Sequence, residues 1–211
     1  MPIIVLADSL QKEELLNNSS STAAVIWITD EKEFLNYKDA DAYIDLEFVN
    51  DTGRTSLLTQ LLPKPVIINS VIDTLEETNP SFIRINAWTT FLCSSLIEGS
   101  CSTEGAKHKA EEVFSFFNKK IEWLADEPGF ITARVISMIV NEAFIALGEG
   151  VSTKEELNTA MKLGTAYPFG PFEWVEKIGL QNIVTLLQKL SKTQSRYLPS
   201  ELLVQETNKA I

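Results

Sequence analysis

The sequence predicts a doubly wound, mostly parallel α/β sheet over residues 1–126, followed by an all-α region over 127–211. Three observations carry this. Short β-branched runs alternate with polar, helix-like runs through the first half. Those apolar runs are continuous rather than alternating, as in strands buried on both faces. After Asp126 only helical patterns remain, so the domain boundary is placed there.

The elements follow in order. PIIVLA (2–7) is the first strand, and DSLQKEELLNN a helix capped by Asp8 or Ser9. A polar turn, NNSSST (17–22), leads to the strand AAVIWIT (23–29). EKEFLNYK is a helical turn or two, and ADAYIDLEF (40–48) the third strand. DTGRTSLLTQLL is a helix before the strand PVIINSV (65–71). DTLEETN reads as a short helix, SFIRINAW (81–88) as a fifth strand and TTFLCSSLIEG as a sixth. STEGAKHKAEEVFSFFNKK is a helix with Val113, Phe114, Phe116 and Phe117 apolar, and KIEWLAD (120–126) is the last strand.

The second half begins with one long helix from near Pro128 to Gly148 or Gly150. In the next, Ser152 and Glu155 have capping-box spacing, and Gly164 is the stop. GPFEWVEKIG is a short helix with Pro171 at its first position. LQNIVTLLQKLSK and RYLPSELLVQETNKAI are further amphipathic pieces.

The net charge of −11 argues against nucleic acid and anionic membrane surfaces, which need a basic face. MPIIVLADSL does not read as a signal peptide, because Asp8 ends a short apolar run and no basic residue precedes it. The most apolar stretch, 130–147, contains Arg134, Asn141 and Glu142, so it reads as a buried helix rather than a membrane span. Cys93 and Cys101 form no metal or redox motif and read as small core or loop residues. The compartment expected from them is a reducing cytoplasm. No Cys/His cluster suggests zinc, so no metal is expected. Asp39, Asp41 and Asp45, like Glu13 and Glu14, read as solvated acidic faces.

Two segments carry a resemblance. DEPGFITARVISMIVNEAFIALGEGVSTKEELNTAMKLG, followed by TAYPFGPFEWVEKIGL, resembles the C-terminal domain of the 3-hydroxyacyl-CoA dehydrogenases. SRYLPSELL fits the same family's later Y-x-P-S-x-L-L. The likeness is closest over 126–198 and looser over 38–126. It implies a Rossmann-like domain, then an all-α domain that makes a homodimer. It also implies an ancestral hydride transfer between NAD and the 3-hydroxyl of an acyl-CoA.

That chemistry makes demands on particular residues. A pyrophosphate needs close backbone approach at a glycine-rich turn on a helix N-terminus. The turn after the first strand reads Ala7-Asp8-Ser9-Leu10-Gln11-Lys12, without glycine. Asp30 stands where an acid would hold the adenosine ribose, and is equally a turn residue. The resemblance places the family's histidine base at Ile83, or at Arg84 with one gap, and neither takes a proton at pH 7. It places the orienting glutamate at Ser95 and the substrate-contacting asparagine at Ala133. Asn86 and Arg134 match the family's polar positions. Asn86 is either a ligand contact or a strand-end turn residue, and Arg134 either a pocket residue or a paired structural one. The sole histidine, His108, lies between lysines on a helix and reads as surface.

Three readings stay open. One is a family member that no longer catalyses and serves as a binding or dimerising module that keeps an acyl-CoA-like pocket; NAD follows from the resemblance, while the missing glycine-rich turn speaks against it. A second is an active NAD-dependent dehydrogenase with atypical site residues. The third is a structural partner of a full-length relative.

Overall fold

A computed structural model describes residues 2–17, 19 and 25–209. The chain divides into two compact units, Met1–Phe130 and Ile131–Ile211. Among the described residues the first holds seven strands: β1 (Ile3–Leu6), β2 (Val25–Ile28), β3 (Ala42–Asp45), β4 (Val66–Asn69), β5 (Ile83–Ile85), β6 (Leu96–Ser100) and β7 (Lys120–Trp123). They form one sheet in the order β2-β1-β3-β4-β5-β6-β7. Every neighbouring pair is parallel except β5 with β6, which run antiparallel. The doubly wound, mostly parallel sheet expected from the sequence is therefore what forms.

The continuous apolar runs have a direct cause. Alternate residues of the central strands β1, β3 and β4 enter two different cores. Ile3 and Val5 of β1, Ala42 and Ile44 of β3, and Ile67 of β4 pack in one, with Phe114 and Phe117. Ile4 and Leu6, Tyr43, and Val66 and Ile68 pack in the other, with Phe34 and Leu58. Both faces of these three strands are dry, so neither parity is polar up to the strand ends. Each fully buried aliphatic side chain contributes about 1.5–3 kcal/mol.

The helices that cover these faces start as their caps dictate. α1 (Ser9–Leu16) is capped by Asp8, and α2 (Thr52–Thr59) by Asp51, which accepts from the Arg54 amide at 2.8 Å. α3 (Glu104–Ser115) starts at Thr103 and turns Ala110, Val113 and Phe114 inward. Residues 31–37 form a 3₁₀ helix capped by Asp30.

Some expectations change. The sixth strand begins at Leu96, not Thr89, because Thr90 takes φ 82 and residues 91–93 form a 3₁₀ turn. Lys119, itself buried, donates to the carbonyls of Leu92 and Ser94 and so replaces a strand neighbour. DTLEETN is turn rather than helix. Thr78 N donates to Thr74 O, and Pro80 follows. The polar turn over 17–22 and the start of the second strand at 23–24 lie largely outside the described residues.

The second unit holds α4 (Thr132–Gly148), α5 (Lys154–Thr165), α6 (Pro171–Ile178), α7 (Leu180–Ser191) and α8 (Glu201–Lys209). α4 packs against α6, α7 and α8. It starts at Thr132 rather than Pro128, since Gly129 (φ 82) and Phe130 (φ 49) are left-handed and cannot open a helix. The capping box of α5 is Thr153 with Glu156, one residue beyond the expected Ser152 and Glu155; Ser152 Oγ also donates to Glu156. Gly164 lies inside α5, and Ala166 (φ 57) supplies the left-handed stop.

The corner between α5 and α6 is tightly built. A Cβ on Gly170 would lie 2.3 Å from Asn158 Oδ1 and 2.5 Å from Asn158 Cα. Asn158 Oδ1 accepts from the Phe172 amide at 2.9 Å, and Glu173 pairs with Lys162 and accepts from the Gly170 amide. Phe169 meets Trp174 edge to face, and Phe172 meets Phe144 at 5.0 Å. Later, Asn141 in mid-α4 donates to Leu198 O and accepts from Ser200 N, pinning the SRYLPSELL segment to the helix.

Among the described residues, no helix is long and apolar enough to cross a membrane, and no group of three or more His, Cys, Asp or Glu could hold a metal ion.

Candidate functional site at the carboxyl ends of the strands

Open α/β sheets bind ligands outside the carboxyl ends of their strands, where the strand order reverses. Here β1 lies between β2 and β3, so the reversal falls between β1 and β3. The side chains at this edge are mostly bonded to neighbouring backbone groups or to one another.

Asp8 follows β1 and caps α1. Its carboxylate accepts from the Gln11 amide at 2.7 Å, and Gln11 Oε1 accepts from the Asp8 amide at 3.1 Å. Gln11 Nε2 then donates to Leu46 O at 2.9 Å, just past β3. Asn69, the last residue of β4, donates to the same carbonyl at 3.1 Å, and its Oδ1 accepts from the Ala87 amide at 3.1 Å. One chain of bonds thus links α1 to the ends of β3, β4 and β5.

A second cluster sits beside it. Asp45 ends β3 with no exposure and receives both Nε and Nη2 of Arg54, at 2.7 and 2.8 Å. Arg54 Nη1 also reaches Glu31 at 2.9 Å. Burial acts against the Arg54 charge, yet Asp45 and Glu31 outweigh it and hold the guanidinium above its ordinary range. Arg54 is thereby fixed as the partner of the buried carboxylate. The reading of Asp45 as a solvated acid is corrected: it is fully buried, because Arg54 is there to receive it. Glu14 is corrected likewise, since it is 5% exposed and accepts from the Thr90 amide at 2.8 Å.

The third feature is a pair across β5 and β6. The antiparallel register sets Arg84 opposite Ser100 and Ile85 opposite Gly99. The next pair is Asn86 and Glu98. Asn86 N donates to Glu98 O at 3.0 Å, and Asn86 Nδ2 donates to Glu98 Oε2 at 2.9 Å. Asn86 is 2% exposed and also accepts from the Trp88 amide at 3.4 Å. It therefore orients a carboxylate that reaches solvent in part.

The other sequence candidates fall elsewhere. Ile83 is 1% exposed in the core, and Ser95 is exposed just before β6; the register does not bring them together. Arg84 is structural, donating to Ser70 O, Val71 O, Glu127 O and Asp126. Asp30 accepts from Lys32 N at 2.8 Å as a helix cap. Ala133 is buried, and Arg134 is half-buried in the first turn of α4. His108 is exposed and lies 3.7 Å from Glu111.

Sequence reasoning missed Glu98, Asn69 and the Asp45–Arg54 pair. Ile83 to Ser95 and Asn86 to Glu98 have the same twelve-residue separation, three residues out of register. A carboxylate within the apolar run LIEGS was the signal that could have fixed the offset.

Residues 129–209 match the family model described as 3-hydroxyacyl-CoA dehydrogenase, C-terminal domain. The chain is similar to a 3-hydroxyadipyl-CoA dehydrogenase of Escherichia coli (strain K12), 35% identical over 113 residues, or 53% of this chain and 24% of that protein. It is also similar to a 3-hydroxybutyryl-CoA dehydrogenase of Bradyrhizobium diazoefficiens, 34% identical over 111 residues, or 52% of this chain and 38% of that one. These matches span about a quarter and two fifths of the curated relatives' lengths. The fold superposes on the crystal structure of (S)-3-hydroxybutyryl-CoA dehydrogenase from Ralstonia eutropha with a TM-score of 0.77. That alignment covers 99% of this chain and 94% of the other at 17% identity, so it speaks for the Rossmann-like fold.

Proposed function

We propose, from a chain whose residues 129–209 belong to the 3-hydroxyacyl-CoA dehydrogenase family's C-terminal domain, that it is a non-catalytic member of that family. It serves as a binding or dimerising homologue in acyl-CoA metabolism. The observation that carries the reading is the Asn86–Glu98 pair. The resemblance calls for a histidine at a strand end, oriented by a carboxylate. Asn86 holds such a place, but a carboxamide takes no proton at pH 7. Loss of a general base alone costs about 10²–10⁴ in rate.

The α-helical unit is the proposed dimerising part. Ile131, Val135, Val151, Leu163 and Leu198 expose apolar surface there, with Leu163 83% exposed. Light scattering at micromolar concentration tests this, and a clean monomer rejects it.

The activity test is direct. Purified chain is mixed with NADH and acetoacetyl-CoA and followed at the NADH absorbance. No oxidation above the blank is the expected result. Turnover at a rate proportional to protein, kept through repurification, would mean an active dehydrogenase instead.

A further inference from the structure

We infer that the crevice at the carboxyl ends of the sheet is closed by the chain's own side chains, so that the unit takes no nicotinamide dinucleotide. This deepens the reading given under Proposed function and rests on it.

A dinucleotide's pyrophosphate sits on the first helix of such a sheet, against free amides and without a side chain in the way. Three features of this chain conflict with that need. The Gln11 amide, in the first turn of α1, already serves the Asp8 carboxylate at 2.7 Å. A diphosphate there would have to displace that bond and then face a like charge. The crevice behind the helix is crossed by Gln11 Nε2 and Asn69 Nδ2, which share Leu46 O, and by Asn69 Oδ1 on the Ala87 amide. Beside it, Asp45, Arg54 and Glu31 satisfy one another, so the one cation of that cluster is committed to internal partners.

The three act together. A glycine-rich turn leaves helix amides open for a ligand; a capping box fills them. The bonds through Leu46 O hold α1 close to the ends of β3 and β4, where a ligand's ribose and phosphates would need room. At these positions the chain has residues that complete the fold without a dinucleotide.

The test uses the full chain. NADH is titrated by fluorescence and calorimetry to about 1 mM, far above ordinary cofactor affinities, with circular dichroism to show that the protein is folded. No saturable binding is expected. Saturation below about 0.1 mM would overturn the inference. If it came without turnover it would leave the non-catalytic reading standing, whereas turnover would remove both. The crossing bonds are read separately by amide exchange. In Asn69→Ala the Ala87 amide should exchange at least about tenfold faster, since its acceptor is gone. Unchanged exchange there would show that the crevice is not held as described.

Discussion

Arg84 Nη1 donates to Asp126 Oδ1 at 2.7 Å, and the arginine has no exposed surface. The same guanidinium serves the carbonyls of Ser70, Val71 and Glu127 and lies 4.2 Å from the Phe130 ring centre. Burial works to lower its pKa, and Asp126 opposes this. One side chain thus ties the segment after β7 to β4 and β5. The Gly129 amide, donating to Val71 O at 2.7 Å, adds a backbone tie, and the first unit runs to Phe130.

Replacing Arg84 by methionine keeps the stem and removes every donor. Three carbonyls and a partly exposed carboxylate then lose one donor each, while Val71 O keeps the Gly129 amide and Asp126 the Leu75 amide. We expect a loss of about 3 kcal/mol in urea unfolding. Asp126→Asn should cost less, because the three carbonyls stay served. Equal losses would place the energy in the ion pair alone.

Gly170 and Gly164 should respond in opposite senses to alanine. At Gly170 the new methyl would meet Asn158 at 2.3 Å, and part of that contact is backbone. The α5–α6 corner must open, at about 1–3 kcal/mol. At Gly164 nothing lies within 4 Å, and the residue is inside a helix. Alanine there should stabilise by about 0.5–1 kcal/mol. Thermal melts of the two variants on one instrument decide the matter.

Acid should weaken the α-helical unit partly through Glu173. Its pKa lies below the ordinary 4.5, chiefly through the Lys162 hydrogen bond and then the Gly170 amide. The sign follows from the charged form being favoured when folded. Its contribution is present above pH 4.5 and is lost as pH falls through the lower folded value. Glu173→Gln should therefore flatten the stability profile below pH 4.5 and leave its shape above pH 6 unchanged. Unfolding midpoints from pH 2 to 7 give the comparison.

The architecture was readable because both faces of the sheet's central strands are dry. Ile3 to Leu6 and Val66 to Ile68 have no polar parity, and that pattern alone implies flanking helices. The places that failed share a physical cause. Thr90, Phe130 and Ala166 adopt left-handed backbone without glycine, so the usual marker of a stop was absent. Lys119 supports the carbonyls of residues 92 and 94 from far along the chain, which no local pattern shows. At the site, the missing glycine turn could be seen directly. The Asn86–Glu98 pair was missed because counting along the chain fell three residues short, and the carboxylate in LIEGS was not used to correct it.

Asn86→His offers a direct probe of that pair. A histidine at this position can place a ring nitrogen toward Glu98, where Asn86 Nδ2 now lies 2.9 Å from the carboxylate. Burial at a position 2% exposed pushes the imidazole pKa down, and a facing carboxylate pushes it up. The difference between Asn86→His and the double variant with Glu98→Gln isolates the second effect. Because the ring's positive form gains from Glu98, its pKa should be higher in the single variant, by about one unit or more. The ring proton shifts of residue 86, set apart from those of His108 by comparison with the parent chain, report it between pH 4 and 9. NADH oxidation is expected to stay at the blank in both variants, since the crevice is closed. Equal pKa values would show that residues 86 and 98 do not form a base-orienting geometry. The reading of Asn86 as standing in the place of the family's histidine would then lose its support.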